Sequence, residues 1–314
     1  MMMTTAEMTA ALRDADGILL LTHRRPDGDT LCSAAALCSA LRRMGKAAAL
    51  YPNPEITETY RAMTAPFLAP DGFAAACAVS VDVAGEEMLP DGYEGGVDLC
   101  IDHHPSNAGF APRSLVVPTK ASCGEIVLEL IEALCPPLTA EEANLLYAAV
   151  STDTGCFRYG NTTAETLRAA AHLVESGADN GALNRELFQS FSFARVRLEG
   201  MIYASLRSYR GHRVNVAVVT LQMMADAGAT EDDCEDLAAL PGRIRGSVVN
   251  ITIRELAEGR SKASVRTSEA VDAAALCAMF GGGGHKMAAG CTVDVPPAEL
   301  ERRMLAALDE VWKP

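Results

Sequence analysis

The feature that most limits how this chain can fold is the alternation, in its first half, of short apolar runs with longer segments of helical pattern. The run at 17–23 is apolar until its last two residues, as expected of a strand buried on both faces. Comparable runs cover 46–51, 75–84 and 97–104, and helical patterns cover 30–45, 122–134, 139–155 and 162–177. This alternation predicts an α/β fold with a mainly parallel sheet flanked by helices.

The second half has a different pattern and predicts a second, smaller domain. Residues 181–209 have a helical pattern throughout and are predicted to connect the two domains. Beyond them, strand-like and helical segments are found at 213–221, 246–256, 261–268, 271–280, 288–295 and 297–311. A chain of 314 residues is long enough to form two cores. We therefore predict a first domain at 1–185, a helical linker at 186–209 and a mixed α/β domain at 210–314.

Charge and cysteine usage exclude several classes of protein. The net charge of −14 argues against a protein that binds long duplex nucleic acid, because such binding needs a basic surface. A small anionic substrate in a locally positive pocket is still compatible with this charge. The 10 cysteines include no CxxC pair, no segment approaches the roughly 20 apolar residues of a membrane helix, and the N-terminus is unlike a signal peptide. These features predict a cytoplasmic protein with reduced thiols and no membrane association.

Polar side chains with metal-binding groups follow the predicted strands at the points where those strands end. Further ones lie in the sequence PDGD and at the end of a predicted helix. In an open parallel sheet, ligands bind outside the carboxyl ends of the strands. We therefore expect imidazoles and carboxylates from four segments to meet at one edge of the sheet, namely His23, Asp27, Asp29, Asp82, Asp102, His103, His104 and Asp153.

Each of these residues has an ordinary structural interpretation when it is taken alone. PDGD is a common turn sequence, Asp82 could cap a helix, and Asp153 could be a polar residue at a helix end. Taken together, the mixture of imidazoles and carboxylates at strand ends favours a metal site. The absence of thiolates from the set suits Mn²⁺, Mg²⁺ or Fe²⁺ better than a structural zinc site.

The number of carboxylates indicates that one cation is not enough. Uncompensated carboxylates repel each other strongly at short range. Two divalent cations roughly 3.5–4 Å apart, sharing one bridging carboxylate, would neutralise the cluster. Such a pair suits in-line displacement at phosphorus, because it lowers the pKa of a bridging water and stabilises charge on the phosphate oxygens.

A glycine-rich stretch, FGGGGHKMAAG at 280–290, is the unusual feature of the second half. Four successive glycines could form a flexible loop, or their backbone N–H groups could form an anion-binding nest. His285 follows the glycines directly, and Arg266 lies in the preceding strand-like segment. Because the arginine fork donates two hydrogen bonds to phosphate, this second interpretation predicts a phosphate clamp.

Four sequences in the first half, THRRPDGDT, VSVDVA, CIDHHPSN and VSTDTGCF, together resemble the motifs of the DHH phosphoesterase family in their usual order. SVRTS followed by FGGGGHKMAAG is similar to the accessory domain called DHHA1. The combination and the chain length resemble the stand-alone subfamily of bifunctional oligoribonucleases and 3′-phosphoadenosine-5′-phosphate phosphatases. The resemblance covers essentially the whole chain.

The resemblance implies a role for each candidate residue. His23 and Asp27 would bind a first metal ion, Asp29, His103 and Asp153 a second, and Asp82 would bridge the two and be essential for catalysis. His104 would act near the substrate phosphate or leaving oxygen, and Asp102 would orient His103. The metals would be two divalent ions, Mn²⁺ in the first place and Mg²⁺ as the alternative. The substrate would be held by Arg266, Gly282, Gly283, Gly284 and His285.

The activity implied is the hydrolysis of very short RNA and linear dinucleotides to nucleoside 5′-monophosphates, and of 3′-phosphoadenosine 5′-phosphate to AMP. Two alternatives stay open. One is a phosphodiesterase of the same family that acts on cyclic dinucleotides, and the other is a nucleotide-binding regulator without catalysis. A homodimer is possible at the level of the family.

Overall fold

The protein is described here from a computed structural model that covers residues 1–107, 109–234, 237–268 and 270–312. The chain divides into two compact units, Met1–Ser190 and Phe191–Pro314. Within the described ranges, no helix is both long and apolar enough to span a membrane.

The first unit is built on a parallel sheet of five strands in the order β2-β1-β3-β4-β5. Its strands are Ile18–Leu21 (β1), Ala48–Leu50 (β2), Cys77–Val81 (β3), Leu99–Asp102 (β4) and Arg113–Val116 (β5). Its helices are Thr5–Asp14 (α1), Gly28–Arg43 (α2), Glu58–Thr64 (α3), Cys123–Leu134 (α4), Ala140–Asp153 (α5), Ala164–Glu175 (α6) and Asn180–Gln189 (α7). The predicted α/β fold with a parallel sheet is confirmed.

Helix α2 holds the first unit together, because it is buried along nearly its whole length and packs against α4 and α5. Its apolar side chains join those of β1, β3 and β4 in one continuous core. Burial of this kind stabilises a fold by about 25 cal/mol for each Å² of apolar surface removed from water. The N-terminus of α2 is therefore firmly fixed at the carboxyl end of the sheet, where β1 leads into it.

The strands are shorter than the apolar runs that predict them. The run 75–84 contains only Cys77–Val81 as strand, because the next residue, Asp82, leaves the extended conformation with a φ of +62°. Helices α1 and α3 and strand β5 have no counterpart in the predicted elements. Strand β5 is only four residues long and lies at the sheet edge, so it lacks the long apolar run of a central strand.

The second unit contains a mixed sheet of six strands in the order β10-β11-β9-β8-β7-β6, in which β7 and β8 are parallel and the other pairs are antiparallel. Its strands are Arg207–Tyr209 (β6), Val214–Val219 (β7), Val249–Ala257 (β8), Arg260–Thr267 (β9), Gly283–His285 (β10) and Ala288–Val293 (β11). Its helices are Phe193–Ser205 (α8), Leu221–Ala227 (α9), Ala273–Ala278 (α10) and Pro297–Val311 (α11). The predicted smaller mixed α/β domain is confirmed.

The helical pattern expected over 181–209 is interrupted in the structure. Helix α7 ends at Gln189, α8 begins at Phe193, and 207–209 form strand β6. The break coincides with Ser190 and Ser192, and the Ser192 side chain accepts the N–H of Arg195 as the N-cap of α8. Serine favours such caps over helix interiors, which explains why the two helices are separate.

The glycine-rich stretch forms a short strand and not a free loop. Gly283–His285 pair with Ala288–Gly290 of β11, so the sequence closes a tight hairpin. Gly284 has a φ of +141°, and a Cβ there would lie 2.6 Å from the carbonyl oxygen of Ala288. A Cβ on Gly283 would meet nothing within 4 Å. The hairpin thus requires glycine at 284 but tolerates a side chain at 283.

We expect Gly284→Ala to lower the free energy of unfolding of the second unit by about 1–3 kcal/mol, the usual cost of a strained backbone position. Gly283→Ala is the matched control and should change it little. The chain has a single tryptophan, Trp312, which is buried in the core of the second unit, so its fluorescence during urea unfolding reports on that unit. Equal unfolding midpoints for the two variants would contradict this expectation.

Candidate metal centre

The predicted metal-binding side chains come from the carboxyl ends of three neighbouring strands and from two helix termini. His23 lies two residues beyond β1, Asp82 directly follows β3, and His103 directly follows β4. Asp27 is the N-cap of α2 and Asp29 lies in its first turn, while Asp153 is the last residue of α5. The parallel topology brings these segments to one edge of the sheet.

The side chains form three overlapping groups in which the possible ligand atoms lie within 4.8 Å of one another. The Nε2 atom of His23 is 3.6 Å from Asp27 and 3.8 Å from Asp82. The groups are His23, Asp27 and Asp82; Asp29, His103 and Asp153; and Asp82, His103 and His104.

The second group surrounds the Nε2 atom of His103. This atom is 3.9 Å from Asp29, 3.7 Å from Asp153 and 3.4 Å from Asp82. Asp82 thus lies between the two imidazole rings, with one carboxylate oxygen towards His23 and the other towards His103.

Asp82 has the environment expected of a cation ligand. Its side chain is buried, and among the described residues its Oδ1 atom accepts no hydrogen bond, although ring nitrogens of His103 and His104 lie 3.4 and 3.5 Å away. A buried polar atom without a partner costs roughly 1–3 kcal/mol. A divalent cation at this oxygen would supply the missing partner, so the residues present fit such an ion.

The aspartates at the start of α2 are oriented by helix N-termini. Asp27 accepts the N–H groups of Asp29 and Thr30 and so caps its own helix. Asp29 accepts the N–H groups of Cys123 and Gly124, at 2.7 and 2.9 Å, which are the first residues of α4. Helix N-termini favour anionic groups, and these contacts hold both carboxylates in fixed positions.

Two of the imidazoles are oriented by backbone carbonyl groups. The Nδ1 atom of His23 is 2.8 Å from the carbonyl oxygen of Arg24, and that of His103 is 3.2 Å from that of Lys120. A carbonyl oxygen only accepts, so Nδ1 carries the proton in both rings. Each Nε2 atom then faces the carboxylates, and it can offer a lone pair to a cation once its own proton is lost. The role of these carbonyl groups has no signature in the sequence, since any residue can supply one.

Asp102 orients a different imidazole from the one that the sequence predicts. Its Oδ1 atom is 2.8 Å from Nδ1 of His104, whereas it contacts only the backbone N–H of His103. The cause is the alternation of side chains along an extended chain, which puts residues 102 and 104 on one side and residue 103 on the other. Asn107 donates to the second oxygen of Asp102 at 2.7 Å and fixes it further. The prediction that Asp102 orients His103 is therefore wrong.

Burial and mutual repulsion raise the pKa values of two of the carboxylates. Burial raises the pKa of Asp29 well above its usual range, and the charges of Asp82 and Asp153 raise it further. Burial likewise raises the pKa of Asp153 to about 7, with a smaller lowering by His103 and a further increase from Asp82. In the protein without cations, protons therefore compensate part of the carboxylate charge.

The pKa values of two imidazoles are raised as well. Burial alone would lower the pKa of His103, but contact with Asp82 and the charges of Asp29 and Asp153 raise it to about 10. Burial alone would also lower the pKa of His23, but contact with Asp27 and the charges of Asp27 and Asp82 outweigh this effect and raise the pKa to about 9. At neutral pH both rings hold an extra proton that a cation must displace.

We expect the affinity for Mn²⁺ to increase with pH. The ligands must lose their protons to bind a cation, and the pKa values of Asp153, His23 and His103, about 7, 9 and 10, lie at or above neutrality. Each proton released contributes up to about tenfold in affinity per pH unit. Titration calorimetry at several pH values, in buffers of different ionisation heat, measures both the affinity and the protons released. An affinity that is constant over this range would contradict the expectation.

The residues predicted to hold the substrate lie in the second unit. His285 is paired with Ala288, and Ala288 with Arg266, so the three share one row across β10, β11 and β9. Side chains in such a row project from the same face, which separates Arg266 from His285 by about two strand spacings, roughly 10 Å. Both side chains are exposed, with the small Ala288 between them. Gly283 and Gly284 belong to the hairpin with β11 and Gly282 directly precedes it, and the anion-binding nest at these glycines stays a prediction.

Comparison with known proteins identifies two family matches along the chain. Residues 17–150 match the N-terminal domain of the DHH family, and residues 211–313 match the DHHA1 domain. The first match includes all the metal-centre residues except Asp153, and the second includes Arg266 and the glycine hairpin.

Similar proteins are named after two activities. A Thermus thermophilus protein called bifunctional oligoribonuclease and PAP phosphatase NrnA is 33% identical over 288 residues, which cover 88% of this chain and 84% of that protein. A Bacillus subtilis protein of the same name is 25% identical over 292 residues, covering 88% and 90%. Among solved structures, an exopolyphosphatase-related protein from Bacteroides fragilis has the same fold, with a TM-score of 0.88, 23% identity, and coverage of 98% and 95%.

Proposed function

The chain belongs to the DHH family and carries a DHHA1 domain, and from this starting point we propose that it is a metal-dependent phosphoesterase for very short substrates. The substrates are short oligoribonucleotides and linear dinucleotides, cleaved to nucleoside 5′-monophosphates, and 3′-phosphoadenosine 5′-phosphate, converted to AMP. The names of the similar proteins support both activities. The observation that carries the proposal is the convergence of imidazoles and carboxylates around the unpaired oxygen of Asp82.

The residues divide into two sets of cation ligands. His23 and Asp27 form one set, Asp29, His103 and Asp153 form the other, and Asp82 belongs to both. Two divalent cations held by these residues would make hydroxide available from water near neutral pH and would neutralise charge on the phosphate. The mixture of imidazole and carboxylate groups favours Mn²⁺, with Mg²⁺ as the alternative.

His104 holds and delivers a proton. Burial alone would lower its pKa, but its hydrogen bond with Asp102 and the charge of Asp82 raise it, so the ring is protonated more readily than a free imidazole. Because Nδ1 is bound to Asp102, Nε2 is the ring atom left to face a substrate. We assign this atom the transfer of a proton to the leaving oxygen, or a hydrogen bond to the phosphate. Asp102 keeps the ring in the required tautomer and orientation.

Arg266 and His285 recognise a phosphate group or nucleotide of the substrate in the second unit. The first domain, with the metal centre, then carries out the chemistry, and the second selects substrates that are short. A clamp of an arginine and a histidine on an otherwise acidic chain favours a small anion over a long polymer.

The test is a comparison of purified protein on several substrates: 5′-phosphorylated RNAs of two to five nucleotides, 3′-phosphoadenosine 5′-phosphate, cyclic di-AMP and pyrophosphate. Each is assayed with Mn²⁺, with Mg²⁺ and with a chelator. We expect Mn²⁺-dependent release of nucleoside monophosphates from the dinucleotide and of AMP from the bisphosphate. If both stayed intact while cyclic di-AMP was cleaved, the alternative within the family would replace this proposal.

We expect Arg266→Gln to raise KM for 3′-phosphoadenosine 5′-phosphate by roughly 10- to 100-fold, since a charge-assisted hydrogen bond contributes about 1.5–3 kcal/mol. The value of kcat should change much less, because the proposed role of the residue is to bind substrate and not to take part in the chemistry. Arg260→Gln is the matched control, as Arg260 lies on the same strand, is exposed and pairs with Asp294. Equal KM values for the two variants would remove Arg266 from the clamp.

A further inference from the structure

The two carbonyl groups that orient His23 and His103 belong to peptide units that share one kind of contact. In each unit the N–H group, on the next residue, donates a hydrogen bond to a glutamate. This repetition involves two unrelated segments of the chain, and neither glutamate belongs to the metal-binding groups described above.

The first of these peptide units joins Lys120 to Ala121. The carbonyl oxygen of Lys120 is 3.2 Å from Nδ1 of His103, and the N–H of Ala121 donates to Oε1 of Glu125 at 3.2 Å. Glu125 lies in the first turn of α4 and is only 3% exposed. The hydroxyl of Thr166 donates to the same oxygen at 2.8 Å, which fixes the position of the carboxylate.

The second peptide unit joins Arg24 to Arg25. The carbonyl oxygen of Arg24 is 2.8 Å from Nδ1 of His23, and the N–H of Arg25 donates to Oε2 of Glu55 at 3.0 Å. The other oxygen of Glu55 is 3.7 Å from Nε of Arg25, and its side chain is about one third exposed, at 34%. Both chains of hydrogen bonds therefore run from a glutamate through one peptide unit to a histidine. The glutamate is buried in the first chain and lies at the surface in the second.

The peptide group can transmit an effect from carboxylate to imidazole. It is planar, and in its trans form the C=O and N–H bonds point in opposite directions, so the two hydrogen bonds lie at opposite ends of one unit. Hydrogen bonds in a chain polarise one another and strengthen by about 10–30% each. A negative charge at the N–H end therefore makes the carbonyl oxygen a stronger acceptor for the imidazole proton.

We propose that Glu125 and Glu55 are positioning residues for the metal centre, each acting on an imidazole ligand through a single peptide unit. Each glutamate fixes the ring orientation and the Nδ1–H tautomer of its histidine, and it increases the electron density at the Nε2 atom that faces the cation. This proposal rests on the proposed function, since it requires that His23 and His103 bind cations. A carboxylate in direct contact with a metal-binding histidine performs the same task in many metal sites.

The test measures Mn²⁺ binding in the absence of substrate. The variants are Glu125→Gln and Glu55→Gln, which keep size and hydrogen-bonding capacity but remove the charge. The control is Glu132→Gln, because Glu132 lies on the same helix as Glu125, is half exposed and pairs with His172. We expect Glu125→Gln to weaken Mn²⁺ binding by about tenfold or more, in the range typical of residues that support metal ligands. Glu55→Gln should weaken it less, because water screens the exposed carboxylate.

The two variants should affect different binding steps, since they act on different histidines, and the double variant should combine both losses. A merely structural role would lower the melting temperature but leave the dissociation constant of the folded protein unchanged. If Glu125→Gln fails to fold, Glu55→Gln decides the question, because it lies at the surface. Wild-type Mn²⁺ affinity in the folded variants would overturn the proposal. Lack of Mn²⁺ binding by the wild-type chain would instead contradict the proposed function.

Discussion

Replacing Asp82 with asparagine is expected to lower kcat/KM for 3′-phosphoadenosine 5′-phosphate by at least about 10³-fold, which corresponds to about 4 kcal/mol of lost transition-state stabilisation. Among the described residues, Asp82 is the carboxylate that lies within 4 Å of both His23 and His103. Its loss leaves each set of ligands incomplete and removes the charge that both cations would share. The measurement is the steady-state rate in saturating Mn²⁺, and a residual activity above a tenth of wild type would contradict it.

The fold of this variant should survive. Asparagine has nearly the same shape as aspartate, and the Oδ1 atom of Asp82 accepts no hydrogen bond among the described residues that the substitution would break. The loss of attraction to His23 and His103 is opposed by the loss of repulsion from Asp29. We therefore expect a little-changed melting temperature without Mn²⁺, and loss of the increase that Mn²⁺ produces in the wild type. Asp91→Asn, on an exposed turn, is the matched control and should behave like the wild type in both respects.

The second large effect is expected at His104, where His104→Gln should lower kcat by about 10²- to 10⁴-fold, the usual contribution of general acid–base catalysis. Mn²⁺ binding should be largely retained, because the proposed ligand sets do not include this residue. Asp102→Asn should give a smaller loss of kcat, since it disturbs the tautomer and orientation of the ring without removing it.

The leaving group decides whether His104 supplies a proton. A nucleoside p-nitrophenyl phosphate has a leaving group that needs no protonation, so His104→Gln should retain much more of its activity on this ester than on a dinucleotide. Equal losses on both substrates would contradict proton transfer and favour a hydrogen bond to the phosphate. Asp82→Asn serves as the comparison, because it should lose activity on both esters alike.

Much of the first unit can be predicted from its sequence because the relevant signals are strong and local. A strand buried on both faces must be apolar, so β1, β3 and β4 are visible as apolar runs. Because the carboxyl ends of parallel strands meet at one edge of the sheet, His23, Asp82 and His103 can be predicted from the sequence to lie close together. The observed distances from Asp82 to His23 and to His103, 3.8 and 3.4 Å, agree with that expectation.

The contacts between neighbouring groups could not be predicted in the same way. The Nδ1 atom of His103 faces the carbonyl group of Lys120, and two of the donors to Asp29 are the N–H groups of Cys123 and Gly124, all of them backbone atoms that any residue type would provide. The contact of Asp102 with His104 follows from strand alternation, but the backbone beyond β4 has to continue extended for that to hold. The hairpin at Gly283–His285 depends on pairing with β11, which no local pattern reveals.

The left-handed backbone of Asp82 limits what evolution or design can place at that position. At a φ of +62°, glycine, asparagine, aspartate and histidine are tolerated far better than other residues. Of these, only aspartate carries a carboxylate, so even glutamate, with the same charge, would meet a backbone penalty before its reach mattered. The site therefore has no conservative replacement there: a lineage that loses this residue has to rebuild the turn after β3 or abandon the chemistry.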